Sequence, residues 1–92
     1  PYLFTVKNPA PFTFAGLWEK WRNSEGQELR TCTIITTSPN SLVADYHDRM
    51  PVILGPEDRW EWLAPKPVSE LANLLKHYPV DQMEEPQLVG QL

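Results

Sequence analysis

Extended, semi-apolar runs dominate the first forty positions, and shorter helical patterns follow. Tyr2 to Val6, Phe12 to Trp21 and Leu29 to Thr37 are rich in β-branched and aromatic residues. Turn-forming clusters at Lys7 to Pro11 and Asn23 to Gly26 separate them. The second and third runs predict an antiparallel hairpin. In the third, Cys32, Ile34 and Thr36 share one face, and Thr33, Ile35 and Thr37 the other. Both faces are semi-apolar, so a central place in a sheet is expected.

Ser38-Pro39 offers an N-cap followed by proline at the first helical position, where its missing N–H costs nothing. A short helix from Asn40 to about Tyr46 is predicted, delivering His47 to Pro51 into a loop. Val52-Ile53-Leu54 then reads as a buried strand stopped by Gly55-Pro56. Acidic residues at Glu57 and Asp58 favour a helix start, with Trp60 and Leu63 as an i, i+3 apolar pair, until Pro65 and Pro67 end it. A second helix is expected from about Ser69 to Lys76 along the stripe Leu71, Leu74, Leu75. Leu88-Val89 is strand-like within a Pro- and Gln-containing tail.

Composition narrows the function classes. The 92 residues suffice for one small core, to which four Trp, three Tyr and three Phe contribute. A single cysteine, Cys32, excludes an internal disulfide and paired-cysteine metal sites. The formal charge of −4 makes the chain alone a weak binder of nucleic acid, whose affinity rests on Lys and Arg. No apolar run approaches the roughly 20 residues of a membrane span and the start resembles no signal peptide, so a cytoplasmic location is expected. Pro1-Tyr2-Leu3-Phe4 reads as a strand already under way, which suggests a cut chain.

Candidate chemistry concentrates at residues 47 to 51, His-Asp-Arg-Met-Pro. An imidazole in a loop can pass protons near neutrality; a hydrogen-bonded structural histidine is the alternative for His47. Arg49 has a fork suited to phosphate, or to an ion pair with Asp45, Asp48 or Glu57. The Thr36 hydroxyl can donate to a phosphate, although threonine is also ordinary in strands. Cys32 in mid-strand reads as a small inert hydrophobe. The four tryptophans read as core residues, with base stacking as the alternative. No phosphate-binding glycine loop, zincin motif or nucleophile elbow occurs, and no cofactor or metal is expected.

Three strings, taken together, carry a resemblance: Phe14-Ala15-Gly16-Leu17-Trp18-Glu19, Cys32-Thr33-Ile34-Ile35-Thr36-Thr37 and His47-Asp48-Arg49-Met50-Pro51-Val52-Ile53-Leu54. In that order and spacing the chain resembles the SRAP family, the SOS-response-associated peptidases that shield abasic sites in single-stranded DNA. The resemblance extends from Pro1 to about Leu63 and more weakly beyond. It implies an α+β fold with a mainly antiparallel, barrel-like sheet, and a positively charged groove for single-stranded DNA.

It also implies a cysteine made N-terminal by autoproteolysis, which captures the ring-opened abasic aldehyde as a thiazolidine. An asparagine and a glutamate in a Tyr-Glu-Trp context assist, and none of these three is in this chain. Glu19 belongs to a different strand motif. His47 matches the family's active-site histidine, Arg49 a phosphate-contacting arginine and Thr36 a strand threonine of the groove. Residues 1–92 are thus expected to be the C-terminal part of one SRAP domain, unable by itself to cross-link DNA. Dimerisation or partner docking through surface left bare is the rival expectation.

Overall fold

Three extended stretches, residues 13–22, 28–37 and 50–54, are placed by where each of them breaks. The computed structural model describes residues 1–8 and 11–90, so Pro9 and Ala10 of the predicted Lys7 to Pro11 turn lie outside the described residues. The first long run consists of β2 (Thr13–Phe14) and β3 (Gly16–Arg22), interrupted at Ala15. The next is β4 (Glu28–Ile34) and β5 (Thr36–Thr37), interrupted at Ile35. The third is β6 (Met50–Pro51) and β7 (Ile53–Leu54), interrupted at Val52. At each break the strand changes partner: β3 pairs with β4, β5 with β6 and β7 with β2, all antiparallel.

The three interrupting residues close a ring of backbone hydrogen bonds. Ala15 N–H donates to Val52 O, Val52 N–H to Ile35 O, and Ile35 N–H to Ala15 O, each at 2.9 Å. The convergence of three chains satisfies buried polar groups that a simple bend would leave unpaired. It also leaves little room: Ala15 and Val52 are both fully buried. A Cβ added at the neighbouring Gly16 would meet Thr33 O at 3.0 Å, a close approach of the kind that favours glycine in a strand. Leu54 and Leu74 complete this core, with Ile35, Trp62 and Leu71 packed against it.

Beyond the junction, β3 and β4 run out as a hairpin in register from Gly16 opposite Ile34 to Arg22 opposite Glu28. Its turn is built as the sequence predicts. Asn23 Oδ1 accepts the N–H groups of Glu25 and Gln27, and Gly26 takes the positive φ of 79°. The expected central position of this strand is not what forms: β4 pairs with β3 alone, and every residue of both strands is exposed. Trp18 is 66% exposed and Trp21 57%, so these rings are surface and not core.

The radius of gyration is 16.1 Å, against about 12 Å for a compact domain of this length.

Short helices and the tail cover the other side of the junction. Helix α1 spans Asp58–Trp62 and α2 spans Val68–Leu71, continued as a 3-10 turn over Ala72–Leu74. Trp60 in α1 and Leu63 just after it face solvent, and Trp62 turns inward to donate its indole N–H to Gly16 O at 3.1 Å. A helix of little more than one turn has too few residues for an i, i+3 pair to define its buried face.

The tail returns along the first strand. β1 (Tyr2–Leu3) pairs with β8 (Gln87–Leu88), Val6 bridges Met83, and Lys7 N–H donates to Gln82 O. The α+β expectation thus takes the form of small antiparallel sheets flanked by short helices, and no closed barrel is found among the described residues. No helix among them is long and apolar enough to cross a membrane.

Candidate functional site

The residues leading to His47 are anchored by one buried polar side chain. Asn40 is 2% exposed. Its Oδ1 accepts the Val43 N–H at 3.0 Å, and its Nδ2 donates to Tyr78 O at 2.7 Å and to Met83 Sδ at 3.3 Å. It therefore performs the capping role that the sequence suggested for Ser38, two residues later than expected. The predicted helix from Asn40 to Tyr46 shrinks to a 3-10 turn over Val43–Asp45, because the capped segment starts late and must reach β6 soon after. The N–H groups of Tyr46 and His47 both donate to Val43 O, which sets the backbone direction from which the imidazole projects.

The supposed loop at residues 47 to 51 is only partly a loop, since Met50 and Pro51 form β6 opposite Thr37 and Thr36. This ladder brings Arg49 back across Thr36. Arg49 Nη2 donates to Thr36 O at 2.8 Å and to Thr36 Oγ1 at 3.1 Å, and Nε reaches the same Oγ1 at 3.3 Å. Two residues singled out from the sequence thus touch. No ion pair of Arg49 with Asp45, Asp48 or Glu57 occurs among the described residues. The guanidinium is oriented by neutral oxygens, and its Nη1 donors are left without a protein partner among the described residues.

His47 is exposed, and its imidazole makes no hydrogen bond or ion pair with the described residues. His47 and Arg49 border one cleft of about 230 Å³, whose walls are apolar and include Phe4, Phe12, Phe14 and Ile53. Beneath it lies a second small core of Val43, Met50 and Met83. Thr36 does not line the cleft; it stands behind Arg49. Cys32 lies elsewhere, exposed on the outer hairpin beside Trp18.

The aromatic wall was not singled out in the sequence. The i, i+2 spacing of Phe12 and Phe14, which puts both on one strand face, is the signal that marks it. No group of three or more His, Cys, Asp or Glu side chains is assembled as a metal site would require among the described residues.

Known proteins share both sequence and architecture with this arrangement. The abasic site processing protein YoqW of Bacillus subtilis is 51% identical over 90 residues, which cover 96% of this chain and 40% of that protein. The abasic site processing protein HMCES of Rattus norvegicus is 35% identical over 72 residues, covering 77% of this chain and 20% of that one. The chain therefore spans about two fifths of the length of the Bacillus relative. A crystal structure of a Bacteroides thetaiotaomicron protein superposes with a TM-score of 0.83 at 37% identity, over 91% of this chain and 38% of that one. The model of the SOS response associated peptidase (SRAP) family matches residues 1–90, and the chain belongs to that family.

Proposed function

We propose that these residues form the sugar- and phosphate-holding part of a site that processes abasic single-stranded DNA in the damage response. The observation that carries the reading is the shared cleft. Lining it are an imidazole without a hydrogen-bond or ion-pair partner and a guanidinium already oriented by Thr36 and without an ion pair, both among the described residues. The names of the relatives supply the substrate class.

In this reading Arg49 grips a backbone phosphate, which positions the strand without reading its sequence. His47 donates a proton to the ring oxygen of the abasic deoxyribose as the C1′ hydroxyl loses one. The C1′–O bond of the ring breaks, leaving an aldehyde at C1′ and a hydroxyl at C4′.

Capture of that aldehyde as a thiazolidine requires an amine and a thiol on adjacent carbons, with loss of one water. Cys32 does not offer them, because its nitrogen is in a peptide bond and its side chain is on the outer hairpin. The covalent step is assigned to a cysteine other than Cys32, one that autoproteolysis exposes.

A mobility-shift titration of the 92-residue chain with abasic single-stranded DNA tests the reading. The expected result is reversible binding, with no adduct surviving denaturation. Arg49→Ala should weaken binding and flatten the log–log salt slope by about 0.7, the share of one phosphate on a single strand. Unchanged affinity and slope in Arg49→Ala, or a denaturation-resistant adduct lost in Cys32→Ser, would overturn it.

A second reading rests on the hairpin, whose Leu17, Trp18, Trp21 and Leu29 are all more than half exposed. Apolar side chains on open strands invite pairing with another chain, so the module docks a partner or a second copy there. Light scattering that shows a strict monomer at high concentration rules out the second copy.

A further inference from the structure

The cleft beside His47 holds more than a proton donor and a cation. Phe12 and Phe14 form one wall, with ring centroids 5.6 Å apart and planes at 63°, and they remain 39% and 42% exposed. Phe4 also lines the cleft and packs edge-on against Tyr46 at 5.4 Å. The cationic group of the lining is the Arg49 guanidinium, whose Nη1 donors have no partner among the described residues. A ligand that matches has a flat apolar body with an anionic group attached at its edge. At about 230 Å³ the space is below the roughly 300–1,000 Å³ of pockets for drug-sized ligands, which suits a single ring system.

We infer that the cleft takes the nucleobase next to the abasic sugar, stacked face-on against Phe14 and edge-on to Phe12, whose plane stands at 63° to it, while Arg49 holds the phosphate between the two nucleotides. This rests on the phosphate role proposed for Arg49. An abasic nucleotide has no aromatic ring of its own to anchor, so a neighbouring base is the part of the strand with a flat apolar face to bury. Stacking accepts any base, because every base presents a π-face, so the subsite gives grip without sequence preference.

Fluorescence anisotropy with the 92-residue chain tests this. One labelled thymidine strand carries a single tetrahydrofuran abasic analogue; in a second of equal length the nucleotides flanking it are also tetrahydrofuran. The first should bind roughly fivefold to a hundredfold more tightly, the range for one stacked base. Phe14→Ala should bring the two strands within about twofold of each other with the salt slope unchanged, whereas Arg49→Ala should weaken both alike. Phe14→Leu keeps apolar bulk without the π-face and should lose most of the preference, with circular dichroism confirming that each variant is folded.

Equal affinity for the two strands, or a preference that survives Phe14→Ala or Phe14→Leu, overturns the base subsite. If Arg49→Ala still weakens binding in that case, the functional reading stands without it. Failure to bind either strand overturns both.

Discussion

The two ends of the long strands have similar sequences and opposite environments. Toward the cleft, β2, β5, β6 and β7 are short, change partners around Ala15, Ile35 and Val52, and rest on buried Leu54, Met50 and Val43. Away from it, β3 and β4 are seven residues each, pair only with each other, and expose leucine, isoleucine and two tryptophans. A two-stranded hairpin is at best marginal by itself. What holds its base is the backbone ring at the junction and the Trp62 indole on Gly16 O. Stability therefore concentrates at the end that carries the candidate site, and apolar surface available to a partner concentrates at the other.

The strongest test of that division is a pair of truncations. Leu54→Ala removes a side chain from the junction core and should cost about 2–5 kcal/mol, a large part of the roughly 5–15 kcal/mol typical of a whole domain. Trp18→Ala removes a larger side chain from the hairpin and should stay within about 0.5 kcal/mol. Urea denaturation followed by far-ultraviolet circular dichroism measures both, and equal losses would break the comparison.

Next in size is Asn40. Replacing it by alanine removes a turn cap and leaves Tyr78 O without its buried donor, with an expected cost of about 1–3 kcal/mol. Because Asn40 fixes the turn over Val43–Asp45, the effect should be local as well as global. Amide exchange at His47 should accelerate more than at Trp18 in the hairpin. Equal acceleration at both would mean that the turn has no stability of its own to lose.

Thr36→Val preserves shape and removes the hydroxyl that accepts from Nε and Nη2 of Arg49, leaving the bond to Thr36 O. Thr36 is exposed, so stability should move by less than about 0.5 kcal/mol. Oligonucleotide affinity should fall roughly two- to tenfold, the worth of one hydrogen bond in orienting the guanidinium. An affinity loss as large as that of Arg49→Ala would place Thr36 on the phosphate itself.

What was legible in the sequence follows the range of the interactions involved. The β3–β4 hairpin was readable because Asn23 and Gly26 close it locally and alternation continues on both sides. The breaks at Ala15, Ile35 and Val52 were not, since each depends on two distant strands supplying a donor and an acceptor. The same limit made β4 look central: semi-apolar faces are compatible with burial, and only the pairing with β3 alone and the exposure of every β4 residue show that it is not buried among the described residues. Near the site, His47, Arg49 and Thr36 stood out by residue type and family resemblance. Asn40 did not, because its role depends on Tyr78 and Met83, about forty residues further on. The direction of α1 was misread because its pattern offered a Trp60–Leu63 pair, whereas the hydrogen bond to Gly16 O selects Trp62.

The smallest effect is expected where α1 meets the base of the hairpin. Lys66 Nζ donates to Glu61 Oε1 at 2.9 Å, and this hydrogen bond, with the carboxylate's charge second, raises the lysine's pKa above its ordinary 10.5. With the folded pKa above the unfolded one, the pair's contribution is fully present below about pH 10.5 and fades as pH rises through the folded value. Both side chains are well exposed, so solvent screening keeps the contribution small. The melting-temperature difference between the natural chain and Lys66→Met should therefore be slight and constant from about pH 7 to 9, and should shrink above pH 10.5. If the difference instead grows with pH, Lys66 is held by something other than its charge on Glu61. A variant that loosens Trp62 more than Leu54 would show that the pair serves the hairpin's attachment and not the junction.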